Sequence, residues 1–183
     1  MHPWNNAISL RRQVNSIKNV GAALLAVGIL AGAGATHAGV AVKHVQNDKM
    51  SIATGVWAGD TLYLSGMVCC EVTPASLGLA TAAKQTPEDY GDTKMQAARV
   101  FAKIQRALQD QGLDMKDVVK LTVFLAPDPK TGKLDFAGMQ SEYLKYFGTP
   151  TQPNKPARSA FQVAALGAPW ALVEIETIAV RSN

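Results

Sequence analysis

Histidine and cysteine are scarce in this 183-residue chain, and their scarcity removes much of the usual catalytic chemistry. Of the three histidines, His2 and His37 lie within the first 38 residues, so the remainder keeps only His44. A His-centred triad or a His-based metal site has too few members to form. The two cysteines are adjacent, Cys69-Cys70. Consecutive residues close a disulfide only through a cramped ring, so an internal staple is not expected. In an oxidising compartment one of them can bridge to another subunit. The pair lacks the spacing and company of a metal site, and two small core residues at the end of a strand is the simplest account. A Gly-rich phosphate loop, G-x-S-x-G, H-E-x-x-H and internal repeats are all missing. No metal site is expected.

Long apolar runs are also missing. Val20–Ala35 (VGAALLAVGILAGAGA) is short and rich in Gly and Ala, below the roughly 20 apolar residues of a membrane span. Arg11, Arg12 and Lys18 precede it and Thr36-His37-Ala38 follows, which is the layout of a secretory signal peptide. Residues 1–38 are therefore expected to be a leader, with export to the periplasm or beyond and no stable membrane anchor after cleavage. Residues 39–183 then form a single domain; an uncleaved anchor is the alternative. The leader holds three basic side chains and no acid, so the formal charge of +4 falls to +1 without it. No basic cluster with interleaved aromatics remains, and nucleic-acid binding is not expected.

What is present reads as alternating strands and helices. Gly39–His44 is a short alternating stretch that reads as an edge strand or as disordered after cleavage. Ser51–Trp57 and Thr61–Val68 flank Ala58-Gly59-Asp60 and read as a hairpin, with Ser65-Gly66 marking a bulge or a close backbone approach. Glu71–Asp92 is an irregular connector. Thr93–Gln111 carries Ala97, Val100, Phe101, Ile104 and Leu108 at helical spacing, with Asp92 or Thr93 as cap and Gly112 as stop. Asp117–Leu125 (DVVKLTVFL) reads as a buried strand. Asp135–Phe147 reads as a second amphipathic helix with Phe136, Met139, Tyr143, Leu144 and Phe147 on its apolar stripe. The order β-β-α-β-α-β-β predicts an α+β fold, a mixed sheet with two helices packed on one face. The other face is left exposed and apolar, so oligomerisation is expected.

The chain closes on Pro156–Val180 (PARSAFQVAALGAPWALVEIETIAV). Ser159–Leu166 and Trp170–Val180, joined by Gly167-Ala168-Pro169, read as a hairpin or as adjacent antiparallel strands. Val173, Ile175 and Thr177 fall on one face of the last strand, and Glu174, Glu176 and Ile178 on the other. Arg158 enters the first run, where its fork suits a carboxylate. Glu174, in an apolar strand, can handle protons if partly buried. On physics alone, an Arg and a Glu on neighbouring strands are more often a rim salt bridge than a catalytic pair.

The succession QAARVFAKIQRALQDQGLDMKDVVKLTVFL, DFAGMQSEYLKYF, PARSAFQVAAL and VEIETIAV closely resembles the Rid/YjgF family of imine/enamine deaminases, over Gly55 to Val180. The resemblance implies a chorismate-mutase-like fold and a homotrimer with sites between subunits. It implies hydrolysis of 2-imino or 2-enamino acids to 2-keto acids and ammonia, without a cofactor. Arg158 matches the arginine that holds the substrate carboxylate, and Glu174 the glutamate that positions or activates water. Ser65, Gly66, Ala160 and Gln140 fall at pocket positions. The chain departs from the pattern at four places: Ile52 stands for a tyrosine, Met67 for a glutamine, Ala160 for a cysteine and Gln140 for an asparagine. These departures describe a divergent subgroup. A non-catalytic trimer that binds small carboxylates or shields client proteins is the alternative, and an RNA-cleaving activity is disfavoured by the near-neutral charge.

Overall fold

The computed structural model describes residues 39–48, 50–70 and 90–182. The expected leader and most of the connector at 71–92 lie outside this set. Seven strands-and-helices of the expected order appear in sequence after a short edge strand. These are β1 (Val42–Val45), β2 (Gly55–Ala58), β3 (Thr61–Val68), α1 (Thr93–Gln109), β4 (Val118–Leu125), α2 (Phe136–Tyr143), β5 (Ala157–Gln162) and β6 (Val173–Val180). The strands form one sheet in the order β1-β2-β3-β6-β4-β5, in which only β4 and β5 run parallel. This is the mixed α+β architecture the sequence predicts.

Each element has a local cause. The two-residue turn Gly59-Asp60 joins β2 to β3, with Gly59 at φ 60°, a conformation that favours glycine. The Asp92 carboxylate accepts from Met95 N at 2.8 Å and caps α1. The stripe Ala97, Val100, Phe101, Ile104 and Leu108 is fully buried against the sheet, whose facing side chains include Leu62, Leu121, Val123 and Ile175. Helix α2 completes this layer through rings: Phe101 meets Tyr143 at 6.3 Å and Phe147 at 6.4 Å. Across β3, Leu64 and Met67 both pair into β6 with a register shift between them, so Ser65-Gly66 forms the expected bulge.

Two expectations fail. β5 and β6 are not neighbours, because β4 lies between them and pairs with both. The DVVKLTVFL run is apolar enough to demand a partner on each side, and residues 163–172 are long enough to step past its end. Gly167-Ala168-Pro169 is therefore part of a crossing loop, not a hairpin turn. The second correction concerns the cysteines: Cys69 and Cys70 are disulfide-bonded to each other. The chain bends at both residues directly after β3, so their side chains escape the alternation that would point them apart in a strand.

One buried side chain ties the crossing loop to the helix layer. Gln96, with no exposed surface, donates from Nε2 to Gly91 O and Trp170 O, both at 3.1 Å. Its Oε1 accepts from Leu172 N at 2.9 Å. Replacing Gln96 with Met keeps the length and strands all three backbone groups; at about 1–3 kcal/mol each, the expected loss of unfolding free energy exceeds ~3 kcal/mol. Urea unfolding measures it, and a loss under about 1 kcal/mol contradicts the clamp.

Candidate functional site

Arg158 is placed by register. It pairs with Leu121, which is fully buried under the helices, so its side chain rises on the helix side of the sheet. There the guanidinium carbon lies 4.2 Å from the Tyr143 ring centroid and 5.6 Å from that of Phe136. Such contacts hold the cation by the ring quadrupole and fix its orientation. Phe136, Gln140 and Tyr143 stand at i, i+4 and i+7 of α2, on one helix face. Burial pushes the Tyr143 phenol up, and the nearby Arg158 charge works against that rise. Arg158 Nη1 and Gln140 Oε1 are both buried and have no hydrogen-bond partner among the described residues. Ala160, two residues along β5, pairs with Val123 on the same side and is exposed.

Glu174 lies on the other side of the sheet. Its register partners are Val68 and Phe124, whereas the next residue, Ile175, is fully buried in the core. Phe124 in turn stacks on Phe161 of β5, with centroids 6.3 Å apart. The carboxylate lies over the β3 bulge so closely that a Cβ on Gly66 would overlap its Oε1. Only glycine leaves that room. Ser65 Oγ donates to Ala53 O at 2.7 Å and anchors the bulge to the chain before β2. Burial raises the Glu174 pKa, and Glu176, two residues along the same face, raises it further.

The six sequence-predicted residues thus fall into two groups. Arg158, Gln140 and Ala160 share the helix side; Glu174 and Gly66 meet on the open side, with Ser65 in the same bulge. Arg158 and Glu174 are on opposite faces of one sheet and do not form the rim salt bridge that sequence alone favoured. The aromatic bracket of Arg158 is the feature that sequence reasoning misses, since Phe136 and Tyr143 read as core stripe. The i, i+4, i+7 spacing with Gln140 was the available signal. Ile52 is 58% exposed, so it lines no formed pocket within one chain. Elsewhere, a shallow cavity lined by Lys43, Trp57, Asp110 and Arg181 contains none of these residues. Its Arg181 is spent on the Trp57 ring, 4.4 Å away, and on Gln111 O. Among the described residues no His/Cys/Asp/Glu cluster fits a metal ion, and no helix is long and apolar enough to cross a membrane.

Known proteins similar to this chain identify its family and fold. The family described as Endoribonuclease L-PSP matches residues 50–181. A RutC family protein of Pyrococcus abyssi is 40% identical over 91 residues, covering 50% of this chain and 64% of that protein. A rat protein named 2-iminobutanoate/2-iminopropanoate deaminase is 35% identical over 124 residues, covering 66% of this chain and 73% of that one. Among solved structures, RidA from an Antarctic Psychrobacter superposes with a TM-score of 0.52 at 29% identity, over 76% of this chain and 99% of that chain. The chain therefore belongs to the endoribonuclease L-PSP family, also called YjgF, RutC or RidA, and has its chorismate-mutase-like α+β fold.

Proposed function

We propose that the protein hydrolyses 2-imino or 2-enamino acids to 2-keto acids and ammonia, in a site shared between two copies of the chain. The observation that carries this reading is the buried, partnerless Arg158 Nη1 held over Tyr143, on the same side as the partnerless Gln140 Oε1. An orphaned donor and an orphaned acceptor suit a ligand that has both a carboxylate and an N–H. The name of the rat relative supports the same chemistry at the level of the family.

In this reading the Arg158 fork holds the substrate carboxylate and thereby fixes C2. Gln140 Oε1 accepts from the imine N–H. Glu174 comes from a neighbouring copy, because its own chain places it across the sheet from Arg158. Its raised pKa suits a base that takes a proton from water as oxygen attacks C2. The protonated carboxyl passes that proton to the imine nitrogen, giving a neutral carbinolamine. The carboxylate then takes the hydroxyl proton and delivers it to the amino group, so that the C–N bond breaks, the keto carbonyl forms and ammonia leaves. The open face supports assembly: Tyr63, Val119 and Phe161 are each about half exposed there. A homotrimer with three equivalent inter-subunit sites is the assembly proposed. Export of the mature chain, expected from residues 1–38, belongs to the same proposal and requires imines formed outside the cytosol.

Ammonia release from freshly generated 2-iminopropanoate and bulkier 2-imino acids tests the reading. Arg158→Ala is expected to lower kcat/KM roughly ten- to a hundredfold, the worth of hydrogen bonds to a charged group. Arg158→Lys should recover only part, because an ammonium keeps the charge and loses the fork. Equal release by wild type and Arg158→Ala overturns the proposal.

Glu174 makes two pH predictions. The acid limb of the rate profile should lie above the ordinary glutamate range, and Glu176→Gln should move it to lower pH by removing the second cause of the shift. A carboxyl whose folded pKa is raised favours the folded state while protonated, and that contribution is lost as pH rises through the folded pKa. Glu174→Gln should therefore raise Tm relative to wild type at about pH 7.5 and leave it nearly unchanged at about pH 4. Thermal unfolding of both proteins at the two pH values decides this.

A further inference from the structure

A disulfide stabilises a fold by closing a loop in the unfolded chain, and the gain grows with loop length. Between consecutive residues there is no loop to close. The Cys69–Cys70 bond is therefore not a staple, and its location shows what it does constrain. It follows Val68 directly, and Val68 is the register partner of Glu174. Cys69 packs against both the main core and the small cluster of Ala168, Trp170 and Ala171; Cys70 packs against that small cluster alone. The same cluster lies at the end of the crossing loop, which Gln96 clamps two residues before Glu174. Lys103 Nζ donates to Val68 O at 3.2 Å, so an ammonium sits at the peptide that enters Cys69. A nearby cation favours a thiolate. Both cysteines are half-buried.

We infer that Cys69–Cys70 is a redox-active site whose oxidation state sets the position of Glu174. The exchange partner is a dithiol. Its thiolate attacks one sulfur of the pair and forms a mixed disulfide, releasing the other cysteine as a thiolate that takes a proton. The second thiol of the reductant then displaces the remaining cysteine. Two electrons and two protons reach the protein, and the reductant leaves as a disulfide. Freed sulfurs need van der Waals separation that bonded sulfurs do not, and the packed walls here are Val68 and the Trp170 cluster. Displacing Val68 displaces the β3–β6 pairing at Glu174. The oxidised form, with the carboxylate over Gly66, is the competent one.

The regulatory half of this inference rests on the deaminase reading, and the test separates the two. Thiols are counted in the unfolded full-length protein, with and without prior reduction by dithiothreitol; none before and two after are expected. Trp170 emission is followed through a dithiothreitol titration, and it should change in wild type and not in Trp170→Phe. Ammonia release is measured on the same samples. Reduction should lower kcat roughly ten- to a hundredfold, the scale of a misplacement near 1 Å, with KM within about twofold. Cys69→Ser should match reduced wild type and ignore the reductant. Two free thiols before reduction overturn the site, as does unchanged Trp170 emission. Equal kcat in both states overturns the coupling to Glu174. If neither state releases ammonia, the deaminase reading fails, while the thiol count and the emission still decide the redox site.

Discussion

Successive side chains of a β-strand point to opposite faces of the sheet, and that alternation governs this molecule. Through the register of β4 with both β5 and β6, it sends Arg158 up beneath α2 and Glu174 out onto the open face. A shift of one residue in β6 would bring the two charges to the same side and bury Glu174 in the aliphatic layer. The apolar partners prevent that slip. Val173 and Ile175 of β6 are fully buried, and both would turn to solvent.

Each half of the site is then adapted to the charge it holds. The Arg158 guanidinium lies beneath a helix with two aromatic rings facing it. Glu174 is less well compensated. Burial and the neighbouring Glu176 both oppose its ionisation, which is costly for stability and, in the proposed reaction, useful for proton transfer. Gly66 makes room for the carboxylate, and the bulge that contains Gly66 is fixed through Ser65. The disulfide and Gln96 hold the chain on the two flanks of Glu174, one after β3 and one before β6. Little surrounding Glu174 is free to relax.

The sequence shows the local pieces well. The spacing of Ala97 to Leu108 gives α1, Ser65-Gly66 gives the bulge, and the alternation through Glu174, Glu176 and Ile178 gives the two faces of β6. It does not show which strands pair. Nothing in SAFQVAAL or WALVEIETIAV announces that β4 lies between them, because pairing is decided by long-range burial, and the Gly-Ala-Pro break suits a turn and a crossing loop equally. The apolar character of DVVKLTVFL was the one hint that it is central. The aromatic bracket around Arg158 was hidden for a related reason: an aromatic at helical spacing looks the same whether it packs into the core or against a cation. Adjacent cysteines in a strand would diverge, and only the bend after β3 brings them together.

In the proposed deaminase a complete site takes Arg158 from one chain and Glu174 from another. Subunit complementation tests it most directly. Arg158→Ala and Glu174→Gln proteins, each impaired alone, are mixed, dissociated and reassembled, and ammonia release is measured. If sites are shared, random assortment leaves about a quarter of them with both native residues, and activity should return to about a quarter of the wild-type rate. If both residues act from the same chain, every site in the mixture lacks one of them, and no activity returns.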